Sequence, residues 1–291
     1  MFKRSILFFI SIFFISSTAF ALPYFNEGNV DKNFSKVGHT LALAYVAHGN
    51  VYRALEQYNA ILQYAPEDVY ANYYMALLYE GIQDKRSAER YYKKAIALKP
   101  DDGKIYYNYG MYLLAKGRKK VALDLLNQAI VYSPFDAEIF YDTGIIYSDL
   151  NDNKTAIEYF RKAIKLDTEF ASAYNNLCYT LALEGEFNEA LDYCKNAVRL
   201  DEKSFAAYDS LGFVYAGLKD YEKALENYET ALKLNNKVGE IYFHYAQALQ
   251  NKGNLQNAIT NYQMASELDK KYKKQSLKEI KKCKMALETG I

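Results

Sequence analysis

An alanine recurs at positions 54, 88, 122, 156, 190, 224 and 258, each 34 residues after the last, without an insertion or deletion. Nothing else in the 291-residue chain constrains its fold as tightly. A period of this length means one small supersecondary unit copied end to end, and units unable to bury their apolar faces alone must stack. The phase gives seven units, 35–68, 69–102, 103–136, 137–170, 171–204, 205–238 and 239–272.

Each unit reads as two helices. Unit positions 4, 7, 8 and 11 form one apolar or small stripe, as in Phe140, Thr143, Gly144 and Tyr147; positions 20, 24, 27 and 28 form a second, as in Ala156, Phe160, Ala163 and Ile164. Both have the i, i+3, i+4 spacing of an amphipathic helix. Turn residues separate them, among them Gly49-Asn50, Asn151-Asp152-Asn153, Gly185-Glu186 and Gly253-Asn254. Pro66, Pro100 and Pro134 share position 32, where proline ends a helix without breaking one. Position 8 is small throughout (Ala42, Ala76, Gly110, Gly144, Cys178, Gly212, Ala246), and position 24 supplies a bulky plug in Tyr58, Tyr92, Phe160, Tyr228 and Tyr262.

This 34-residue helix–turn–helix, with its order of small and aromatic positions, resembles the tetratricopeptide repeat family. The resemblance implies an all-α fold: a right-handed α-solenoid, or superhelix, of seven repeats with a C-terminal capping helix over 273–291. In the first two units Gly38 and Asn72 replace the position-4 aromatic of the other five, which fits a worn terminal repeat. In the cap, Leu277, Ile280, Lys284 and Leu287 trace the expected inward stripe. Eight Lys between 270 and 284 read as its solvated outer face, the alternative being contact with an anionic membrane surface or an acidic partner.

The amino terminus is expected to be an address label. Lys3 and Arg4 precede an apolar run from Ile6 to Ile15, then Ser16-Ser17-Thr18 and Ala19-Phe20-Ala21. That is the pattern of a secretory signal peptide over 1–21, cut after Ala21, with a leader over 22–34. An uncleaved anchor is the alternative, disfavoured because the 17 mostly apolar residues from Ile6 to Leu22 fall short of the roughly 20 a span needs. No Cys lies near the cut, so a lipoprotein is not expected. The expectation is an exported, periplasmic or envelope-associated protein with no stable span after cleavage.

Composition excludes other classes. The 36 Lys and Arg against 35 Asp and Glu argue against a nucleic-acid partner. A mean hydropathy of −0.29 excludes a multi-span membrane protein. Catalysis is not expected. His39, His48 and His244 are scattered, no metal spacing, phosphate-binding loop or nucleophile elbow occurs, and no cofactor or metal is called for. Cys178 and Cys194 sit eight residues either side of Glu186, the centre of an antiparallel helix pair. In an oxidising compartment they can form a disulfide; otherwise they are two small buried thiols, and Cys283 stays unpaired.

Family resemblance places the partner-binding groove on the first helices, at unit positions 2, 5, 9, 12 and 13. Carried over, these give Tyr70, Tyr73, Leu77, Tyr107, Met111, Tyr141, Ile145, Tyr179 and Phe213, with Asn175 and Asp209 turning position 5 polar further along. Asn108 and Asn176 at position 6 are candidate contacts to a peptide backbone, the remnant of an asparagine ladder. The carboxylate clamp that grips chaperone C-termini is disfavoured, because Tyr and Leu or Met stand where it needs Lys and Asn. The reading is a non-catalytic interaction scaffold that binds a helix or peptide, resembling envelope adaptors of pilus, outer-membrane or cell-wall machinery. Its rivals are a self-assembling homo-oligomer, with Leu22, Tyr24 and Phe25 as inserting anchors, and a regulatory subunit of an envelope enzyme.

Overall fold

The structure, a computed structural model, describes residues 30–289, and these form fifteen α-helices and no strand. The expected signal peptide and most of the leader lie outside the described residues. The chain divides into two compact units at Pro134/Phe135. The first holds α1 (Val30–Ala47), α2 (Val51–Tyr64), α3 (Val69–Gly81), α4 (Lys85–Leu98), α5 (Gly103–Ala115) and α6 (Lys119–Tyr132). The second holds α7 (Ala137–Asp149), α8 (Asn153–Leu166), α9 (Ala171–Leu183), α10 (Phe187–Leu200), α11 (Phe205–Gly217), α12 (Tyr221–Leu234), α13 (Gly239–Asn251), α14 (Leu255–Leu268) and α15 (Lys270–Thr289).

The turns explain why each pair folds back on itself. A residue with positive φ stands at 49, 83, 117, 151, 185, 219 and 253, again every 34 residues. At each, the next residue donates its N–H five residues back, as from Asn50 to Tyr45 O (2.8 Å) and from Asp220 to Tyr215 O (2.9 Å). This is the Schellman closure, which satisfies carbonyls that a helix end leaves open. Four of the seven are glycine, the residue that takes φ > 0 without a Cβ penalty; Gln83, Asn151 and Lys219 take it in the other three. Side-chain oxygens of Asn50, Asp84, Asp152 and Asp220 then accept the third N–H of the following helix and restart the chain.

Packing within a pair is set by unit positions 8 and 24. A Cβ added at Gly144 would sit 2.7 Å from the Phe160 ring, and one at Gly212 2.7 Å from the Tyr228 ring. The aromatic plug therefore lies directly on the first-helix backbone. Tyr58, Tyr92, Tyr228 and Tyr262 are completely or almost completely buried in the same role. In the second unit, α7, α9, α11, α13 and α15 touch in series, whereas α8, α10 and α12 each bridge two of these first helices. First helices form one layer and second helices the other.

Both ends differ from the expected boundaries. Helix α1 starts at Val30, inside the expected leader, and is tied down where Ser35 Oγ donates to Asp68 Oδ2 (2.5 Å) and His39 Nε2 lies 3.1 Å from the same oxygen. At the other end, α15 starts at Lys270, and its inward residues are Tyr272, Ser276, Ile280 and Cys283. Of the expected stripe only Ile280 is buried; Leu277 and Leu287 are about half exposed and Lys284 is exposed. The physical reason is register. Residues 276, 280 and 283 are positions 4, 8 and 11 of an eighth first helix, which packs in the phase of the preceding seven.

Candidate binding surface

The second unit carries a cleft of about 180 Å³ lined by Ile145, Ser148, Asp149, Phe160, Asn176, Tyr179 and Thr180. Three of these, Ile145, Asn176 and Tyr179, are among the residues the sequence nominates. They arrive together because position 9 recurs on adjoining first helices: Ile145 on α7, Tyr179 on α9 and Phe213 on α11 are 34 residues apart and half-buried. The Tyr179 and Phe213 rings lie 5.7 Å apart between centroids and continue the apolar surface along the layer. Burial, reinforced by the nearby Glu240 and Asp209 carboxylates, pushes the Tyr179 hydroxyl up to about 12, so it remains a neutral donor at any ordinary pH. Ser148 and Asp149 supply polar atoms at the rim, while Thr180 is buried and donates to the Asn176 carbonyl (2.7 Å). Ser148 and Asp149 stand at positions 12 and 13 of their unit, groove positions of the family from which the sequence reading carried over no residue.

Tyr141 on α7 and Asn176 on α9 meet across adjoining first helices, where the Asn176 amide donates to the Tyr141 hydroxyl (3.2 Å). The Tyr141 ring packs on Phe170 at 4.7 Å and Phe160 at 5.9 Å, and burial raises its pKa. Tyr141 thus packs behind the cleft, supporting its Phe160 and Asn176, and does not itself line it. In the first unit, the Asn108 amide donates to the carbonyl of Lys104 in its own helix (2.8 Å). Both asparagine N–H₂ groups already serve partners inside the protein.

Two expectations need correction. Tyr73 is 3% exposed, packed between Tyr74 and Tyr92, and is a core residue of the first unit. At its point on α3 the face bearing position 5 turns into the helix pair, so of the nominated tyrosines on this helix Tyr70, half exposed beside Lys99, is the one that keeps surface. Asp209 does not make the surface polar either: it is buried and accepts from His244 Nδ1 at 3.0 Å. Its His partner lies 35 residues on, the same step that joins Tyr141 to Asn176, from position 5 of one unit to position 6 of the next. That spacing was the signal available in the sequence. Leu77, Tyr107 and Met111 are half-buried on α3 and α5 of the first unit.

Cys178 and Cys194 are joined as a disulfide between α9 and α10, with Cα atoms 5.3 Å apart, and Cys178 adjoins Tyr179 in sequence. Cys283 is a free, buried thiol. Among the described residues no three His, Cys, Asp or Glu side chains are grouped to hold a metal ion, and no helix is long and apolar enough to cross a membrane.

Family models described as tetratricopeptide repeat match residues 169–237 and 137–170, and a third such model matches 39–84, 75–137 and 211–271, more than half of the chain. No curated protein sequence matches it. Among solved structures, PilF of Pseudomonas aeruginosa superposes with a TM-score of 0.65 at 20% identity, over 77% of this chain and 99% of that one. PilW, described as a widely conserved type IV pilus biogenesis factor, gives 0.57 at 21% identity over 74% and 96%. YrrB, described as having an unusual peptide-binding site, gives 0.56 at 24% identity over 63% and 95%. At these identities the shared property is the fold.

Proposed function

The chain belongs to the tetratricopeptide repeat family, and from that premise we propose that it is a non-catalytic scaffold whose cleft on α7 and α9 receives an extended or helical peptide through one apolar anchor residue. The observation that carries this reading is the convergence of Ile145, Asn176 and Tyr179 in one cleft, with Phe213 continuing it. Half-buried aromatic and aliphatic side chains at a fixed register, with polar atoms at the rim, suit a side-chain anchor flanked by backbone hydrogen bonds. In this reading the seven repeats over 35–272 present the site and residues 273–291 cap the stack. Residues 1–21 direct export. The peptide-binding site named for YrrB and the pilus role named for PilW support the class of function and an envelope setting.

Peptides selected from a displayed random library test the proposal. Selected sequences are expected to share one apolar residue and to bind Tyr179→Ala and Ile145→Ser about tenfold or more weakly, with both variants melting as a folded protein does. Peptides that bind the variants as tightly as the wild type would contradict it.

A further inference from the structure

The outward face of α15 has a use that the peptide cleft does not cover. Between residues 270 and 284 stand eight Lys, no Arg and one acid, Glu279. The rest of the second unit up to Asp269 has the opposite balance, twelve Lys and Arg against 22 Asp and Glu over residues 135–269. All eight lysines are exposed. Lys282 pairs with Glu279 (2.7 Å) and Lys271 reaches the Tyr272 hydroxyl (3.3 Å); the other six stand outside any ion pair among the described residues. Leu277, 56% exposed, and Met285, 54% exposed, lie on this same face. The inward face is fully used by Tyr272, Ser276, Ile280 and Cys283.

We propose that α15 is an interfacial docking helix for a bilayer surface rich in anionic phospholipid headgroups. Charge selects the occupant. Lysines act as point charges towards diffuse phosphate charge, and juxtamembrane lysines add attraction residue by residue. A partner read through carboxylates would favour the fork of Arg, and Lys is depleted at protein–protein interfaces. Apolar side chains set among cations can enter the headgroup–acyl boundary while the ammoniums stay at headgroup level. The helix lies on the surface and does not span it, since no described helix can cross a membrane. The acidic balance of α7 to α14 repels the same surface, so contact is through this end of the second unit.

The test is flotation of the full chain with vesicles of phosphatidylcholine alone or with a third phosphatidylglycerol. The apolar run at residues 6–15 can raise binding to both kinds, so the readout is the difference between them. The anionic vesicles are expected to bind about tenfold better, with the advantage shrinking as salt rises. The variant Lys273→Gln/Lys274→Gln/Lys278→Gln/Lys281→Gln/Lys284→Gln should lose that advantage while keeping its melting temperature, because these groups have no intramolecular ion pair. Leu277→Ser/Met285→Ser should lose part of it. An advantage that survives the Lys substitutions overturns the proposal. So does a low-salt self-association, seen by light scattering, that the Lys substitutions abolish without any effect on flotation, since the face would then serve a second copy.

Discussion

At four helix pairs the same two register positions are filled by different chemistry: Gly110 against Leu126, Gly144 against Phe160, Gly212 against Tyr228, and Cys178 bonded to Cys194. The first three fill the space between helices with one large side chain on a bare backbone; the fourth spans it covalently. Closing a loop of this length contributes about 3 kcal/mol in the chain-entropy model. Cys178→Ala/Cys194→Ala is therefore expected to lose about that much in urea unfolding. Cys178→Gly/Cys194→Phe, which copies the neighbouring pair, should lose less. Tyrosine hydroxyls divide by a similar comparison. Tyr92 donates to Glu80 (2.8 Å) and Tyr262 to Gln250 (2.6 Å), each twelve residues earlier, whereas Val46 stands at that place for Tyr58, whose hydroxyl is buried without a partner among the described residues. Tyr58→Phe should be neutral or stabilising and Tyr92→Phe should cost about 1 kcal/mol, both measured by thermal unfolding. His244 adds a pH dependence. Burial opposes its charge, but the Asp209 carboxylate 3.0 Å away outweighs burial and raises its pKa above 6.5, with Glu240 adding to the rise. A raised folded-state pKa means stability that is fully present below about pH 6.5 and lost as pH rises through the folded value. His244→Gln should flatten the stability profile above pH 6.5; an unchanged slope would refute the assignment.

Among the elements, the turns are where sequence and geometry agree least locally and most globally. Lys219 holds φ 63° at a place where Gly117, Gly185 and Gly253 do so without strain. Lys219→Gly should stabilise by about 1 kcal/mol in urea unfolding, since an L-residue pays roughly that to be left-handed; a loss of stability would show that its side chain matters more. Residue identity marked the turns at Gly49, Asn151, Gly185 and Gly253, and the strict period marks those at Gln83, Gly117 and Lys219. The period was the stronger guide at α15 as well. Leucine identity suggested Leu277 and Leu287 for the inward stripe, while repeat register placed Ser276 and Cys283 there, and the structure follows register. A buried Ser and an exposed Leu are the outcome when a helix must dock in a fixed phase on α14.

For the whole molecule, all-helical architecture was legible because the same 34-residue pattern is written seven times. The site was legible only in part. Ile145, Tyr179 and Phe213 fall in line because position 9 repeats with the helices, but the side chain that fills each position decides which way a face turns. Tyr73 went into the core and Asp209 into an ion pair for that reason. The polar rim residues Ser148 and Asp149 follow no apolar rule, although their places at positions 12 and 13 put them on the groove register; buried Thr180 joins the cleft only once the helices are assembled. The 30 tyrosines divide likewise: buried ones such as Tyr58, Tyr92, Tyr228 and Tyr262 are packing, and Tyr179 is left facing the cleft. The central claim is that this cleft holds a peptide, and site-specific photo-crosslinking tests it most directly. Benzoylphenylalanine in place of Asp149, in the cleft, or of Glu226, exposed on the second-helix layer, is irradiated with a peptide selected against the wild-type protein. The account predicts a crosslink from position 149, suppressed by unlabelled peptide, and none from 226. Equal yields from both, or a yield only from 226, would contradict it.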